Sequence, residues 1–97
     1  MAEQIGPGSL KLVVAGSAER SLREPVEVAL REHCGENDVR CLHADTFLVH
    51  SDASTAEIRD WLAPLLGEGE SVFVVEFERW SARGPAADRD WLRNRGH

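Results

Sequence analysis

The chain lacks the features that would place it in a membrane or an oxidising compartment. Its 97 residues include no tyrosine, one methionine and only two cysteines, so a disulfide framework like those of small secreted domains is not expected. No apolar run approaches the ~20 residues that span a bilayer. The N-terminal MAEQIGPGS also lacks the basic and apolar regions of a secretory signal. We therefore expect a cytoplasmic protein without a membrane segment.

Positive charge is scarce over most of the chain. Residues 1–78 carry six basic and fifteen acidic side chains, a net charge of −9, whereas residues 79–97 carry five arginines and two aspartates, a net charge of +3. The acidic part would repel a phosphate backbone, which disfavours broad nucleic-acid binding. The basic tail is either a solvated helix face or a contact surface for an acidic protein or nucleic acid. Its contact residues would be Arg79, Arg83, Arg89, Arg93 and Arg95.

Hydrophobic spacing predicts the order strand, helix, strand, strand, helix, strand. This order predicts a ferredoxin-like α+β fold, βαββαβ, with a four-stranded antiparallel sheet and both helices on one face. The N-terminal segment 1–9 is interpreted as a flexible arm, 10–80 as the domain, and 81–97 as a basic tail with a short helix from 86 to 94.

Three local features set the expected helix ends and the docking of the tail. Ser54 and Glu57 have the spacing of a capping box, which starts the second helix. The first helix begins either with a similar box at Ser21 or at Pro25, where a missing N–H costs nothing. In the tail, two apolar residues are expected to pin the short helix to the body. They are Trp91 and Leu92.

One face of the predicted sheet has no helix assigned to it. We assign four apolar residues to this face, namely Val13, Leu48, Val72 and Val74. An exposed apolar face calls for a cover, which would be a second copy of the chain or the C-terminal tail. A homodimer is therefore expected. Its interface residues would be Val13, Val72, Val74 and Trp80.

The run HCGENDVRCLH, residues 33–43, raises the question of a metal site. His33 and Cys34 lie at the end of a helix, and Cys41 and His43 alternate onto one face of a strand. Neighbouring helix residues point about 100° apart, so three ligands could converge but four would require distortion. The spacing also differs from the Cys-x-x-Cys pairs typical of zinc sites. We predict no metal, with both cysteines as core residues.

Other reactive combinations are weak. Ser17, His50 and Asp52 supply the residue types of a nucleophilic triad, but no G-x-S-x-G motif supports it. Asp45 and Asp52 flank the third strand at opposite ends, too far apart to share a metal within one chain. The segment 51–55 could hold an anion at a helix N-terminus, although such residues usually cap the helix. We predict no catalytic residues and no cofactor.

The segment 46–83 resembles part of a known family. It reads TFLVHSDASTAEIRDWLAPLLGEGESVFVVEFERWSAR, with a polar Ser-Asp turn, an L-x-P-L-L-like helix end and a V-F-V-V-E-like strand followed by Trp-Ser. This pattern resembles the small CRISPR-associated adaptation proteins and their stand-alone ferredoxin-like relatives. The resemblance implies a homodimer built through the sheets, with C-terminal segments assisting.

The resemblance fails at the position that would matter for catalysis. Family members with nuclease activity carry a metal-binding aspartate at the end of the first strand, where this chain has Ala15, Gly16 and Ser17. Without that carboxylate a paired Mg²⁺ site cannot form. We therefore expect a non-enzymatic dimeric module that binds a macromolecule, with a role in genome defence. The alternatives are a nuclease that uses Asp45 or Asp52 across a dimer, a small-ligand regulatory domain and a zinc-stabilised domain.

Overall fold

The computed structural model describes residues 8–84 and 89–97. The strands are β1 (Ser9–Gly16), β2 (Val39–His43), β3 (Thr46–Ser51) and β4 (Ser71–Phe77), and the helices are α1 (Arg23–Cys34), α2 (Thr55–Leu62) and α3 (Arg89–Asn94). The sheet has the order β2-β3-β1-β4, and all three pairings are antiparallel. This is the ferredoxin-like arrangement, and the predicted fold class is confirmed.

The first helix begins neither at a capping box nor at Pro25. Leu22 is its N-cap without a side-chain cap, and Ser21 Oγ accepts a hydrogen bond from the Arg23 N–H at 3.3 Å. The first helical bond of this turn runs from Val26 N–H to Leu22 O, at 3.1 Å. Pro25 is then the third helical residue, where an N–H would have no helical partner. The helix therefore starts two residues earlier than the proline alone indicates.

The second helix starts as predicted. Ser54 Oγ accepts from the Glu57 N–H at 3.0 Å, and Glu57 Oε1 accepts from the Ser54 N–H at 2.9 Å, which completes the capping box. Near Pro64 the chain passes into a single 3₁₀ turn, Ala63–Leu65. Proline cannot donate the backbone bond that would continue the α-helix, so the helix ends at this point.

The main core lies between the sheet and helices α1 and α2. Its fully buried members come from strands and from both helices, and they are Val13, Leu22, Val26, Leu30, Val39, Phe47, Val49, Ile58 and Leu62. Lys11 projects into the same side of the sheet with only 1% of its surface exposed. Its ammonium donates to Ser9 Oγ at 2.7 Å and to the Ser51 carbonyl, and lies 3.8 Å from Glu76 Oε1. These contacts explain how a charged side chain is accommodated there.

The terminal segments differ from prediction at one boundary. Ser9 was assigned to the flexible arm, but it is the first residue of β1 and pairs with Ser51. The rest of that arm, residues 1–7, and the predicted helix start at 86–88 lie outside the described residues. No helix formed by the described residues has the length and apolarity needed to cross a membrane.

Candidate functional site

The sheet surface opposite α1 and α2, here called the reverse face, is mostly apolar. Since side chains alternate along a strand, its members can be read from the register. They are Leu10, Leu12, Val14, Arg40, Leu42, Thr46, Leu48, His50, Ser71, Phe73, Val75 and Phe77. None of these strand positions carries a carboxylate, although the chain has seventeen acidic residues. The strand positions of the reverse face therefore contribute no negative charge.

The face assignment made from the sequence was wrong for three of four residues. Val13 is fully buried in the core beneath the helices, and Val72 and Val74 pack against the same core. Leu48 does lie on the reverse face. The physical reason is that β1 and β4 are apolar on both sides, so period-two alternation could not show which side meets the helices. Val13 is consequently not available to a dimer interface in this fold.

Helix α3 covers one end of the reverse face, as predicted for the tail. Trp91 and Leu92 are buried against Leu10 and Leu48. The indole Nε1–H of Trp91 donates to the Asn37 carbonyl at 2.7 Å. This contact ties the tail to the turn before β2.

Charged and aromatic side chains add to the contact between α3 and the body of the protein. Arg95 Nε donates to Asp38 Oδ1 at 2.9 Å, and its guanidinium carbon lies 4.3 Å from the centroid of the Trp91 ring. The rings of His97 and His50 meet edge to face at 5.2 Å. Burial, and then the charge of His50, lowers the pKa of His97, which favours its neutral form there. The interactions around Trp91 thus hold α3 on the sheet.

A pocket opens on the reverse face beside α3. Its volume is about 380 Å³, within the range of about 300–1,000 Å³ typical of small-molecule sites. Its apolar walls are Leu12, Leu42, Leu48, Phe77, Trp80 and Leu92, and the segment 81–83 forms one side of its mouth. Arg89 Nη2 donates to the Ala82 carbonyl at 2.9 Å and holds that segment in place. Trp80, predicted for the dimer interface, is therefore a pocket wall.

At the opposite end of the reverse face, here called the open end, the described residues leave apolar side chains accessible to solvent. Val14 on β1 pairs in register with Phe73 on β4. Val14 is 37% exposed, and Phe73, which lies on the edge strand β4, is 67% exposed. The alternation of Phe73 with Phe77 was visible in the sequence, but its exposure depends on how far α3 reaches.

The five tail arginines occupy different environments. Arg95 is half-buried and bound to Asp38, Arg89 is bound to Ala82, and Arg93 lies 3.8 Å from Asp90. Arg79 and Arg83 are exposed. Three of the five are thus already engaged with the protein, and their assignment as partner contacts stays a prediction.

The His and Cys side chains of the segment 33–43 do not come together to form a metal site. The His33 ring stacks on Trp61 with centroids 4.2 Å apart, and Cys41 Sγ donates to the His43 carbonyl at 3.1 Å. Burial raises the pKa of the Cys34 thiol, which disfavours the thiolate that a metal needs. Within the part of the chain that the structure describes, no three His, Cys, Asp or Glu side chains are grouped to hold a metal ion.

The end of β1 carries an ion-pair cluster where the resembled family has its aspartate. Arg20 donates to Glu70 through Nε and Nη2, both at 2.7 Å, and Ser17 Oγ donates to Glu70 at 2.9 Å. The Arg20 side chain, followed by the Gly67 N–H, lowers the pKa of Glu70 to about 2. The carboxylate already accepts three donor groups here and joins the loop after β1 to the loop before β4.

The remaining candidates are separated or used structurally. Asp45 lies at the same end of the sheet as Ala15, whose N–H donates to the Asp45 carbonyl at 2.9 Å. Asp52 follows Ser51, which pairs with Ser9 at the other end of β1. The two carboxylates thus lie at opposite ends, as expected. Ser51 Oγ and Ser54 Oγ accept backbone N–H groups at the start of α2, which accounts for the polar segment 51–55.

Comparisons with protein-family models, with curated protein sequences and with solved structures give no match for this chain. The resemblance to the CRISPR-associated adaptation proteins accordingly stays a prediction from the sequence. The candidate site rests on the geometry of the reverse face, with its pocket and its open end.

Proposed function

We propose that this protein is a non-catalytic ferredoxin-like binding module that pairs with a second copy of itself through the open end of the reverse face. The observation that carries the proposal is the exposure of Phe73, two thirds of whose surface is accessible beside Val14. A large aromatic side chain on an uncovered sheet face is a common feature of interaction surfaces.

The charge distribution favours a second copy at this surface. The chain carries a net charge of −6, so two copies repel each other when acidic surfaces meet. The reverse face has no carboxylate at its strand positions and brings apolar groups together instead. In a two-fold dimer each copy contributes the same patch, so Phe73 of both copies would be buried at once.

The expected association is weak and reversible. Burying the exposed part of Phe73, roughly 130 Å² of a phenylalanine surface of about 200 Å², contributes ~3 kcal/mol per copy. Two copies contribute ~6 kcal/mol, which must offset an association cost of about 4–15 kcal/mol. Contacts of Val14 and its neighbours add to this total. These neighbours must contribute several kcal/mol more than Phe73 alone for the dimer to form at the micromolar concentrations that we expect.

Sedimentation equilibrium over roughly 10 to 500 μM tests the proposal. The wild-type chain should show a monomer–dimer equilibrium, and Phe73→Asp should weaken it at least about a thousandfold because both copies lose apolar burial and gain facing charges. Val28→Asp is the matched control, since Val28 is 51% exposed on α1, away from the reverse face. A monomer throughout, or equal effects of the two variants, would overturn the proposal.

A macromolecular partner beyond the second copy is part of the same proposal. Arg79 and Arg83 are exposed after β4, and we propose them as the contacts with an acidic surface. Binding to a heparin column should then weaken in the double variant Arg79→Gln, Arg83→Gln. Elution at the same salt concentration as the wild type would show that these arginines are not the contacts.

A further inference from the structure

We propose that the reverse-face pocket binds a small amphiphilic anion, a carboxylic acid with an apolar body of about ten carbons, whose carboxylate is held by Arg83. This inference goes beyond pairing of the chain and uses the other end of the reverse face. It rests on the composition of the pocket wall, its volume and the guanidinium of Arg83 in its lining.

The wall selects an apolar body. Leucines, Phe77 and Trp80 supply most of its surface, and none of the lining residues within 8–84 and 89–97 is an aspartate or a glutamate. Leu48 and Leu92, which form its inner part, are 7% and 3% exposed. An apolar cavity of this kind gains little from water, because water needs two to four polar partners that this wall does not supply. Hydrocarbon groups, in contrast, gain the full benefit of leaving water.

The mouth selects a negative head group. Among the described residues that line the pocket, Arg83 is the only one with a charge. Among residues 8–84 and 89–97 it makes no hydrogen bond or ion pair, so its donors remain available to a ligand. Arg89, bound to the neighbouring Ala82 carbonyl, adds a second positive charge to the same segment. A guanidinium matches a carboxylate in a two-point geometry, which favours that head group over an alcohol or an amine.

The volume sets the length of the body. A pocket of about 380 Å³ lies near the lower end of the range typical of small-molecule sites. A single hydrocarbon chain of about ten carbons, as in decanoate, is a ligand body of that class. Shorter acids would leave part of the cavity empty, and longer ones would extend into solvent.

Isothermal titration calorimetry with straight-chain carboxylic acids tests the proposal by measuring their affinity for the protein. Each acid is used below the concentration at which it forms micelles. Affinity should rise about tenfold for each two carbons from hexanoate to decanoate and then level off, because each buried methylene contributes a constant increment until the cavity is full. Decanol and decyltrimethylammonium should bind at least about tenfold more weakly than decanoate. Affinity that keeps rising beyond twelve carbons, or equal binding of the three head groups, would overturn the proposal.

Two matched variants locate the head group. Arg83→Gln should lower decanoate affinity about tenfold, the loss of one charge-assisted contact. Arg93→Gln should leave it unchanged, since Arg93 is exposed beside Asp90 on α3 and does not line the pocket. Equal losses in both variants would indicate general attraction between the basic tail and an anion, and would refute a defined site.

A ¹H–¹⁵N spectrum recorded in the Phe73→Asp background separates this proposal from dimerisation. Decanoate should shift the indole N–H of Trp80 and the backbone signals of Leu42 and Leu92, while Trp61 on α2 serves as the remote reference. If these signals shift with protein concentration and not with decanoate, a second copy occupies the pocket and the ligand proposal is wrong. If decanoate binds while the wild type stays monomeric, only the dimer proposal fails.

Discussion

Replacing Trp91 by alanine should detach α3 from the sheet while the body stays folded. The indole is 93% buried, against Leu10 and Leu48, so its burial of about 200 Å² contributes ~5 kcal/mol. The hydrogen bond to the Asn37 carbonyl adds about 1 kcal/mol, and the stack with Arg95 adds ~0.5–1 kcal/mol. Ordering the nine residues 89–97 costs ~1 kcal/mol each in backbone entropy.

The burial of Leu92, which is 3% exposed, adds about 2 kcal/mol, and the ion pair between Arg95 and Asp38 adds to the gain as well. The gain then slightly exceeds the cost, so the net docking free energy of α3 is at most a few kcal/mol. Trp91→Ala removes more than this, so the helix should undock in nearly all molecules. The free energy of global unfolding should fall by no more than the docking free energy. Once the tail is undocked, residue 91 makes no contact with the body that the substitution could remove. Trp91→Phe keeps most of the ring area and should cost about 1–2 kcal/mol.

Hydrogen exchange with mass spectrometry on the peptide 89–97 measures this directly. Wild-type amides there should be protected, whereas Trp91→Ala amides should exchange at rates near those of an unfolded peptide. Trypsin should also cleave after Arg95 faster in the variant. In the docked helix the Arg95 guanidinium is held by Asp38 and by the Trp91 ring, and undocking releases it to the protease. Arg93→Ala, on the exposed side of the same helix, is the control. Unchanged protection in Trp91→Ala would refute the view that the indole holds the tail.

Two further predictions concern stability of the body. Ser54→Ala should lower the free energy of unfolding in urea by about 1 kcal/mol through loss of the capping box, and an unchanged midpoint would show that the box contributes nothing. Glu70→Gln should lower the thermal midpoint at neutral pH, because the folded pKa of about 2 lies below the ordinary value of 4.5. A lowered carboxyl pKa stabilises the fold above the unfolded pKa and loses this effect as the pH falls. The difference between wild type and variant should therefore be full above about pH 5 and vanish near pH 2, and a difference that grows on acidification would contradict the argument.

Local patterns were sufficient where a short stretch of chain decides its own structure. The capping box at Ser54 needs only two residues three positions apart, so it could be predicted and was confirmed. The end of α1 is also decided locally, because Gly35 has a φ of 106°, a conformation that other residues rarely adopt. The order of elements followed from hydrophobic periods of the same local kind.

The assignments of β1 and β4 residues to one face of the sheet were wrong. In β1 the residues Leu12 and Val13 are both apolar, so alternation places them on opposite faces without saying which face is covered. The burial of Lys11 was also not predicted, since its partners on Ser9 and Ser51 are brought together only by strand pairing. For the same reason the interface residues assigned from the sequence were largely those of the helix-facing core.

The amino-acid sequence by itself determined the elements, their order and hence the ferredoxin-like sheet, because helix and strand periods and caps act over a few neighbouring residues. Only the tertiary structure decided which side of the sheet the helices cover, how far α3 extends over the other side, and that Phe73 stays exposed beside an apolar pocket. These features depend on contacts between segments far apart in the chain, such as Trp91 with Asn37, and such contacts leave no local pattern in the sequence.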